Sequence, residues 1–331
     1  MPRSELLSLP TTGSAWLVLK GAADSSWGSA DLCNQDKQHG VMALAGALVY
    51  ARTGQSSYYT KSRNAIMSAM ATQRPGCSNA VLSLGRQLGA YVLAADFIKL
   101  SGSDDSTFRS WLSKIRTREL GGHGRWKALT ATHADSTNNW GAFAGASRIA
   151  ASLYLGDMTD VAAAAKVVRG FLGDRSAWAG FRKPGSPQLL WACSTSTSTF
   201  TPVNPACSRS GKNLDGVIPS DAHRDGKGLT WPMGPTGIGY TLEVLQGMIL
   251  QTELLHRNGY GGAWTWSNSA LRRAAGVVSR NGAAGGPTWN RASAQFHVPW
   301  LLNFRYGLSL PTKPARYGRV FGYTDWLYAK R

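Results

Sequence analysis

The sequence predicts an all-α protein: antiparallel helix pairs in one continuous domain. Three observations predict it. Apolar residues recur at helical spacing in segments of similar length along most of the chain. Helix stop signals such as Thr53-Gly54, Gly156-Asp157 and Asn258-Gly259 fall between those segments. Alternating apolar–polar β patterns are scarce.

In chain order, Val41 to Arg52 alternates small and large apolar residues and stops at Thr53-Gly54. Tyr58 to Ala71 has apolar positions at helical spacing. Leu82 to Leu100 carries Leu84, Leu88, Tyr91, Val92, Ala95 and Ile98, a single stripe of period 3.6. Thr107 to Ile115, Asn139 to Leu155 and Thr159 to Leu172 follow. Tyr240 to Arg257, Asn268 to Ser279 and Pro299 to Tyr306 complete the set. A toroid of antiparallel pairs is the natural packing for many helices of similar length. Trp178 to Pro235 is rich in Gly, Pro, Ser and Thr, and long irregular segments inside a compact domain are usually functional. Short strands and cleft-lining loops are expected there. No composition shift marks a boundary, so residues 1–331 read as one domain.

The 331 residues, 43% of them hydrophobic, suffice for a sizeable core. No apolar run reads as the roughly 20 residues that span a bilayer, so a soluble protein without a membrane partner is expected. Lys and Arg number 36 against 18 Asp and Glu, a net charge of +18. Such a field attracts polyanions; it also serves solubility alone. The basic residues are dispersed, without a Lys/Arg-rich run or a zinc-finger spacing, which argues against nucleic acid.

The four cysteines, Cys33, Cys77, Cys193 and Cys207, form no CxxC pair, and four permit three pairings. Cys33–Cys77 and Cys193–Cys207 are favoured, the second closing a short Ser/Thr/Pro-rich loop; four buried thiols are the alternative. Disulfides imply an oxidising compartment. Met1-Pro2-Arg3-Ser4-Glu5 leads straight into domain-like sequence without a signal peptide, so a secreted or periplasmic protein is expected to have lost its signal.

Three polar clusters precede apolar helices. His133-Ala134-Asp135-Ser136-Thr137-Asn138-Asn139-Trp140 supplies N-cap candidates in Ser136, Thr137 and Asn138. Two adjacent Asn residues exceed what one cap needs, and an Asn amide at a helix N-terminus can donate to a carboxylate. Asp215-Gly216-Val217-Ile218-Pro219-Ser220-Asp221-Ala222-His223-Arg224, then Trp231 and Tyr240, combines a proton acceptor, a carboxylate clamp and a phenol. Alone, Tyr240 reads more often as a packed aromatic with a wet hydroxyl at a helix start. Cys33-Asn34-Gln35-Asp36-Lys37-Gln38-His39 is the third, with a solvated loop as its plain reading.

These residues resemble the alginate-lyase-type polysaccharide lyases, over roughly residues 30 to 260. Asp36-Lys37-Gln38-His39 with the helix to Thr53-Gly54 is similar to that family's opening, and Gly85-Arg86-Gln87-Leu88-Gly89-Ala90-Tyr91 to its second helix pair. Asn138-Asn139-Trp140 resembles the family's Asn-Asn-His segment, and Asp215-Gly216-Val217-Ile218-Pro219 with Arg224 the loop before its catalytic Tyr. Two departures stand out. Trp140 occupies the position of the family's His, and Tyr240 matches the catalytic Tyr only across an insertion within Gly228 to Gly239, since the usual spacing from Arg224 lands on Trp231.

The resemblance implies an incomplete (α/α) toroid that cleaves a uronate-containing polysaccharide, alginate- or glucuronan-like, by β-elimination. It acts as a monomer without cofactor or metal. Tyr240 is then the preferred base and acid, with His223 its rival. Arg224 and Asn139 neutralise the substrate carboxylate, with Asn138 beside them, an oxyanion-hole task. Lys37, His39, Trp140 and Trp231 bind flanking sugars. The competing expectations are a toroidal hydrolase using two of Asp135, Asp215 and Asp221, and a non-catalytic glycan-binding protein.

Overall fold

The computed structural model describes residues 3–74, 76–121, 128–282, 297–314 and 318–329. Its helices are α1 (Arg3–Leu7), α2 (Ser14–Asp24), α3 (His39–Thr53), α4 (Ser56–Met70), α5 (Ala80–Ile98), α6 (Gly102–Ile115), α7 (Leu129–Asp135), α8 (Asn139–Leu155), α9 (Met158–Leu172), α10 (Pro219–Ala222), α11 (Pro235–Arg257), α12 (Trp266–Gly282), α13 (His297–Tyr306) and α14 (Thr324–Leu327). α12 carries left-handed backbone from Ser267 to Ser269. Among the described residues the strands are a two-residue antiparallel pair, β1 (Ser208–Arg209) and β2 (Lys212–Asn213), inside the segment expected to be irregular.

Two kinds of helix build the molecule. α4 buries Tyr58, Ser62, Ala65, Ile66 and Ala69, and α6 buries Phe108, Leu112 and Ile115. Each is one stripe at 3–4-residue spacing, the mark of a helix with one face on the core and one in water. α3, α5, α8 and α11 are buried nearly all round. The single stripe expected for α5 is thus too narrow: Ser83, Gly85, Arg86, Gln87, Gly89 and Ala90 are buried as well.

The enclosed helices form a row, with α5 against α3 and α8, and α8 against α11. A Cβ at Gly85 would stand 3.0 Å from the Ala144 nitrogen, and Gly89 N–H bonds Ser147 Oγ at 2.9 Å. Along α11, a Cβ at Gly247 would lie 2.5 Å from the Ala142 carbonyl, and four residues on Gln251 Oε1 lies beside Gly145. Contacts advance in the same direction on both partners, so α5, α8 and α11 run parallel. The chain returns between them through α6 and α7, then through α9, and α6 and α9 both pack on α8.

By length and composition α5, with mean hydropathy 1.2, could cross a bilayer, contrary to the reading that no run is long and apolar enough; it is 83% buried inside the protein. The stop signals Gly54 and Gly156 hold φ of 74° and 73°, the left-handed region that favours glycine. α1, α2, α7, α10 and α14 are not among the helices read from the sequence. α11 starts at Pro235, so Tyr240 lies in its second turn rather than opening it. Cys33 bonds Cys77 and Cys193 bonds Cys207, with Cα–Cα distances of 5.4 and 5.9 Å, as favoured.

Two glycines of α11 separate packing from propensity. Gly247→Ala forces a methyl into the α8 backbone and should lower stability by about 1–3 kcal/mol. Gly239 has open space around a Cβ, so Gly239→Ala should stabilise by about 0.5–1 kcal/mol. Urea denaturation of both variants checks the pair; equal effects would contradict the close approach of α11 to α8.

Candidate functional site

The three segments singled out in the sequence converge on the end of the helix row where α8 and α11 begin. α7 ends at Asp135 and the chain turns through Ser136 and Thr137 into α8. Of the three N-cap candidates the cap is Asn138, whose Oδ1 accepts the Trp140 N–H at 3.1 Å. Asn139 is 2% exposed, and its Oδ1 has no hydrogen-bond partner among the described residues.

α10 faces this turn. Pro219 at its first position suits a helix start, where no N–H is needed. It delivers Ser220 to a hydroxyl–hydroxyl hydrogen bond with Thr137 at 2.5 Å. It also delivers Asp221, which is 0% exposed and accepts the Asn139 N–H at 2.9 Å and Arg224 Nη2 at 3.2 Å. Burial pushes the Asp221 carboxyl up to about 7, with Arg224 and the Asn139 N–H pulling the other way. The Arg224 guanidinium lies 4.3 Å from the centroid of the Tyr240 ring, a cation–π contact. One cation is therefore shared between a buried carboxylate and a phenol ring.

One turn beyond Tyr240, Glu243 joins a second ionic cluster. It pairs with Arg86 of α5 and with Arg319, the latter at 3.2 Å. Arg319 also holds Asp36 at 2.9 Å and the Gln35 carbonyl at 2.8 Å. The loop before α3 is thereby tied to α11. Arg86 and Glu243 were legible only as charges interrupting apolar helices, and charges so placed are rarely buried unless paired. Arg319 carried no signal.

The remaining expected residues are placed as follows. His223 is half-buried; burial, then the charge of Arg224, holds its imidazole below the ordinary value. Lys37 lies beside Gly28. His39, read as a sugar-binding residue, is instead 5% exposed, bonds Tyr91 Oη through Nδ1 at 2.7 Å and meets the Trp27 ring edge-on. It packs in the core because α3 is buried from its first residue onward. Trp140 is likewise buried, and half-buried Trp231 sits against Trp191, centroids 6.5 Å apart. Asp215 pairs with Arg273 on α12 at 2.7 Å, away from Asp221. Asp135 pairs with Arg182 at 3.2 Å.

Asp135, Asn138, Ser220 and Arg224 line a polar cavity of about 230 Å³ at this end. A larger cavity, about 740 Å³, lies at the opposite ends of α5, α8 and α11, between Phe97, Tyr154, Leu254 and Phe304. Its arginines are matched by Glu5 and Glu253, and the smaller cavity is the more polar of the two. Among the described residues no three His, Cys, Asp or Glu side chains converge as a metal-binding group. No protein-family model matches the chain, and no curated protein matches it.

Asp221 gives a pH test. Its folded-state pKa is raised above the unfolded value, so the proton it holds stabilises the fold fully below the unfolded pKa, and that contribution is lost as pH rises through about 7. Relative to Asp221→Asn, the wild type should lose stability between about pH 4 and pH 7, by up to roughly 1.4 kcal/mol per pH unit. Denaturant melts across that range check it, and a pH-independent difference would refute it.

Proposed function

We propose that this chain is a polysaccharide lyase that cleaves a uronate-containing acidic polysaccharide, alginate- or glucuronan-like, by β-elimination. The observation that carries the reading is the placement of Arg224 over the Tyr240 ring, at the end of α8 where Asn139 begins the helix. In this reading the row α3, α5, α8 and α11 is the inner wall of an incomplete (α/α) toroid. The two disulfides fit an oxidising compartment, and the protein acts outside the cytoplasm.

The chemistry follows from the charges. The proton on the carbon beside a uronate carboxylate is weakly acidic until that carboxylate is neutralised. Arg224 and the Asn139 amide, aided by the positive end of α8, supply the neutralising field. Tyr240 takes the proton from carbon, a double bond forms to the neighbouring carbon, and the bridging C–O bond breaks. Tyr240 returns a proton to the departing oxygen. Asp221 keeps Arg224 in place from below. His223, next to Arg224 in sequence and held toward its neutral form, is the alternative base.

Alginate and glucuronan degradation should generate ultraviolet absorbance from the unsaturated uronate. Tyr240→Phe should retain glycan binding and lose roughly 10²-fold or more in turnover, and Arg224→Ala and Asn139→Ala should also lose turnover. A larger loss in His223→Ala, with Tyr240→Phe near wild type, would move the base to His223. New reducing ends without the chromophore would replace elimination by hydrolysis, and retention on the glycan with neither product would leave a binding protein. Affinity for the acidic glycan should fall as salt rises, because exposed charges are screened over about 8 Å at physiological ionic strength.

A further inference from the structure

The polar cavity beside Arg224 carries more cationic character than a single substrate carboxylate requires. Three cations line it: Arg182, Lys183 and Arg224. Two have carboxylate partners, Arg182 on Asp135 and Arg224 on Asp221. Lys183 has no ion pair or hydrogen bond among the described residues, although it is half-buried. Ser136 also lines the cavity. It is 5% exposed and its Oγ has no hydrogen-bond partner among the described residues. A buried hydroxyl without a partner costs about 1–3 kcal/mol unless something bonds it.

The cations are held in place. The segment after α9 is pinned to the end of α7 by Trp178 Nε1 donating to the Ala134 carbonyl at 2.9 Å. The Arg182 N–H donates to the Asp135 carbonyl, also at 2.9 Å. Lys183 therefore projects from a backbone fixed to the same turn that starts α8. Proline at 184 and 187 further restricts the chain beyond it.

Building on the lyase reading, we propose that this cavity is a subsite for the carboxylate of the sugar next to the one being cleaved, with Lys183 as its specific cation. The enzyme would then require uronates at successive positions. That places its substrate among the homopolyuronates rather than among chains in which uronate alternates with a neutral sugar or an amino sugar. Arg224 stands between the two positions, facing the reacting uronate on one side and the cavity on the other. The short side chains of Ser136, Thr137 and Ser220 leave room for the ring itself.

The test measures binding apart from turnover. In the Tyr240→Phe background, calorimetry compares Lys183 with Lys183→Gln for tetramannuronate and tetraglucuronate. The same tetramers with carboxyls reduced to alcohols, and a sulfated neutral tetrasaccharide, serve as the other arms. Loss of one charge-assisted contact predicts a dissociation constant roughly tenfold higher for a uronate tetramer. Binding of the reduced tetramer should be unchanged, and Lys183→Arg should restore most of the affinity. An equal effect on acidic and reduced tetramers, no effect on either, or no detectable binding of the acidic tetramers overturns the subsite. Preference for the sulfated tetrasaccharide overturns its assignment to carboxylate. The ultraviolet assay is separate. If no unsaturated product forms while the Lys183 effect is uronate-specific, the lyase reading fails and the carboxylate subsite stands. If product forms without a Lys183 effect, the subsite alone fails.

Discussion

Close approach of α8 to α5 on one side and to α11 on the other sets the positions of the remaining elements. Gly247 faces the α8 backbone at a distance that leaves no space for a methyl group, and Gly85 faces it at one that leaves little. Polar groups fix the register at both contacts. Ser147 Oγ donates to the Gly85 carbonyl at 2.8 Å, and Gln251 Nε2 donates to the Ala142 carbonyl at 2.7 Å. Interiors packed at this density transmit displacement rather than absorb it. Because the three helices run parallel, Arg86, Asn139, Tyr240 and Glu243 all fall toward one end of the row. Separating α8 from α11 would part Asn139 from Tyr240 before any side chain of the site was changed.

Charge is organised around the same frame. Each end of the row contains a carboxylate held by two arginines: Glu243 by Arg86 and Arg319, and Glu253 by Arg257 and Arg305. Such clusters are costly to desolvate and costlier to break, so they specify how the helix ends are tied together. The Glu253 cluster is closed further by the Trp264 indole at 3.1 Å and the Tyr328 hydroxyl at 3.2 Å, and reads as structural. At the other end, Asp221 is buried with Arg224 as its ion-pair partner among the described residues, and burial raises its carboxyl despite that partner. That imbalance sits where the proposed chemistry needs an arginine that is held in place yet still able to meet a second anion.

Much of the helical framework was legible in the residues. Leu84, Leu88, Tyr91, Val92, Ala95 and Ile98 announced α5, and Gly54 and Gly156 announced the ends of α3 and α8, because periodicity and left-handed caps are local properties. Cys193–Cys207 was favoured by the short Ser/Thr/Pro-rich loop it closes, whereas nothing local required Cys33–Cys77. α7 leaves no mark in the sequence because a seven-residue helix is too short to display a period. The start of α11 was misplaced because Pro235-Thr236-Gly237 reads as loop, while proline at the first position of a helix is well tolerated.

Residue order alone establishes a helical, basic chain whose polar clusters precede apolar helices, and it favours the disulfide pairing without excluding free thiols. Which members of those clusters meet depends on the packing of the helices. Asn139, Asp221, Arg224 and Tyr240 come together, whereas His39 turns into the core and Asp215 is drawn away to Arg273. Arg319 enters the site from the far end of the chain, to hold Glu243 and Asp36. The physical reason is that composition and period fix which face of a helix is buried. The partner across a contact is fixed by how neighbouring backbones approach, and here that approach is set between residues separated by dozens to hundreds of positions.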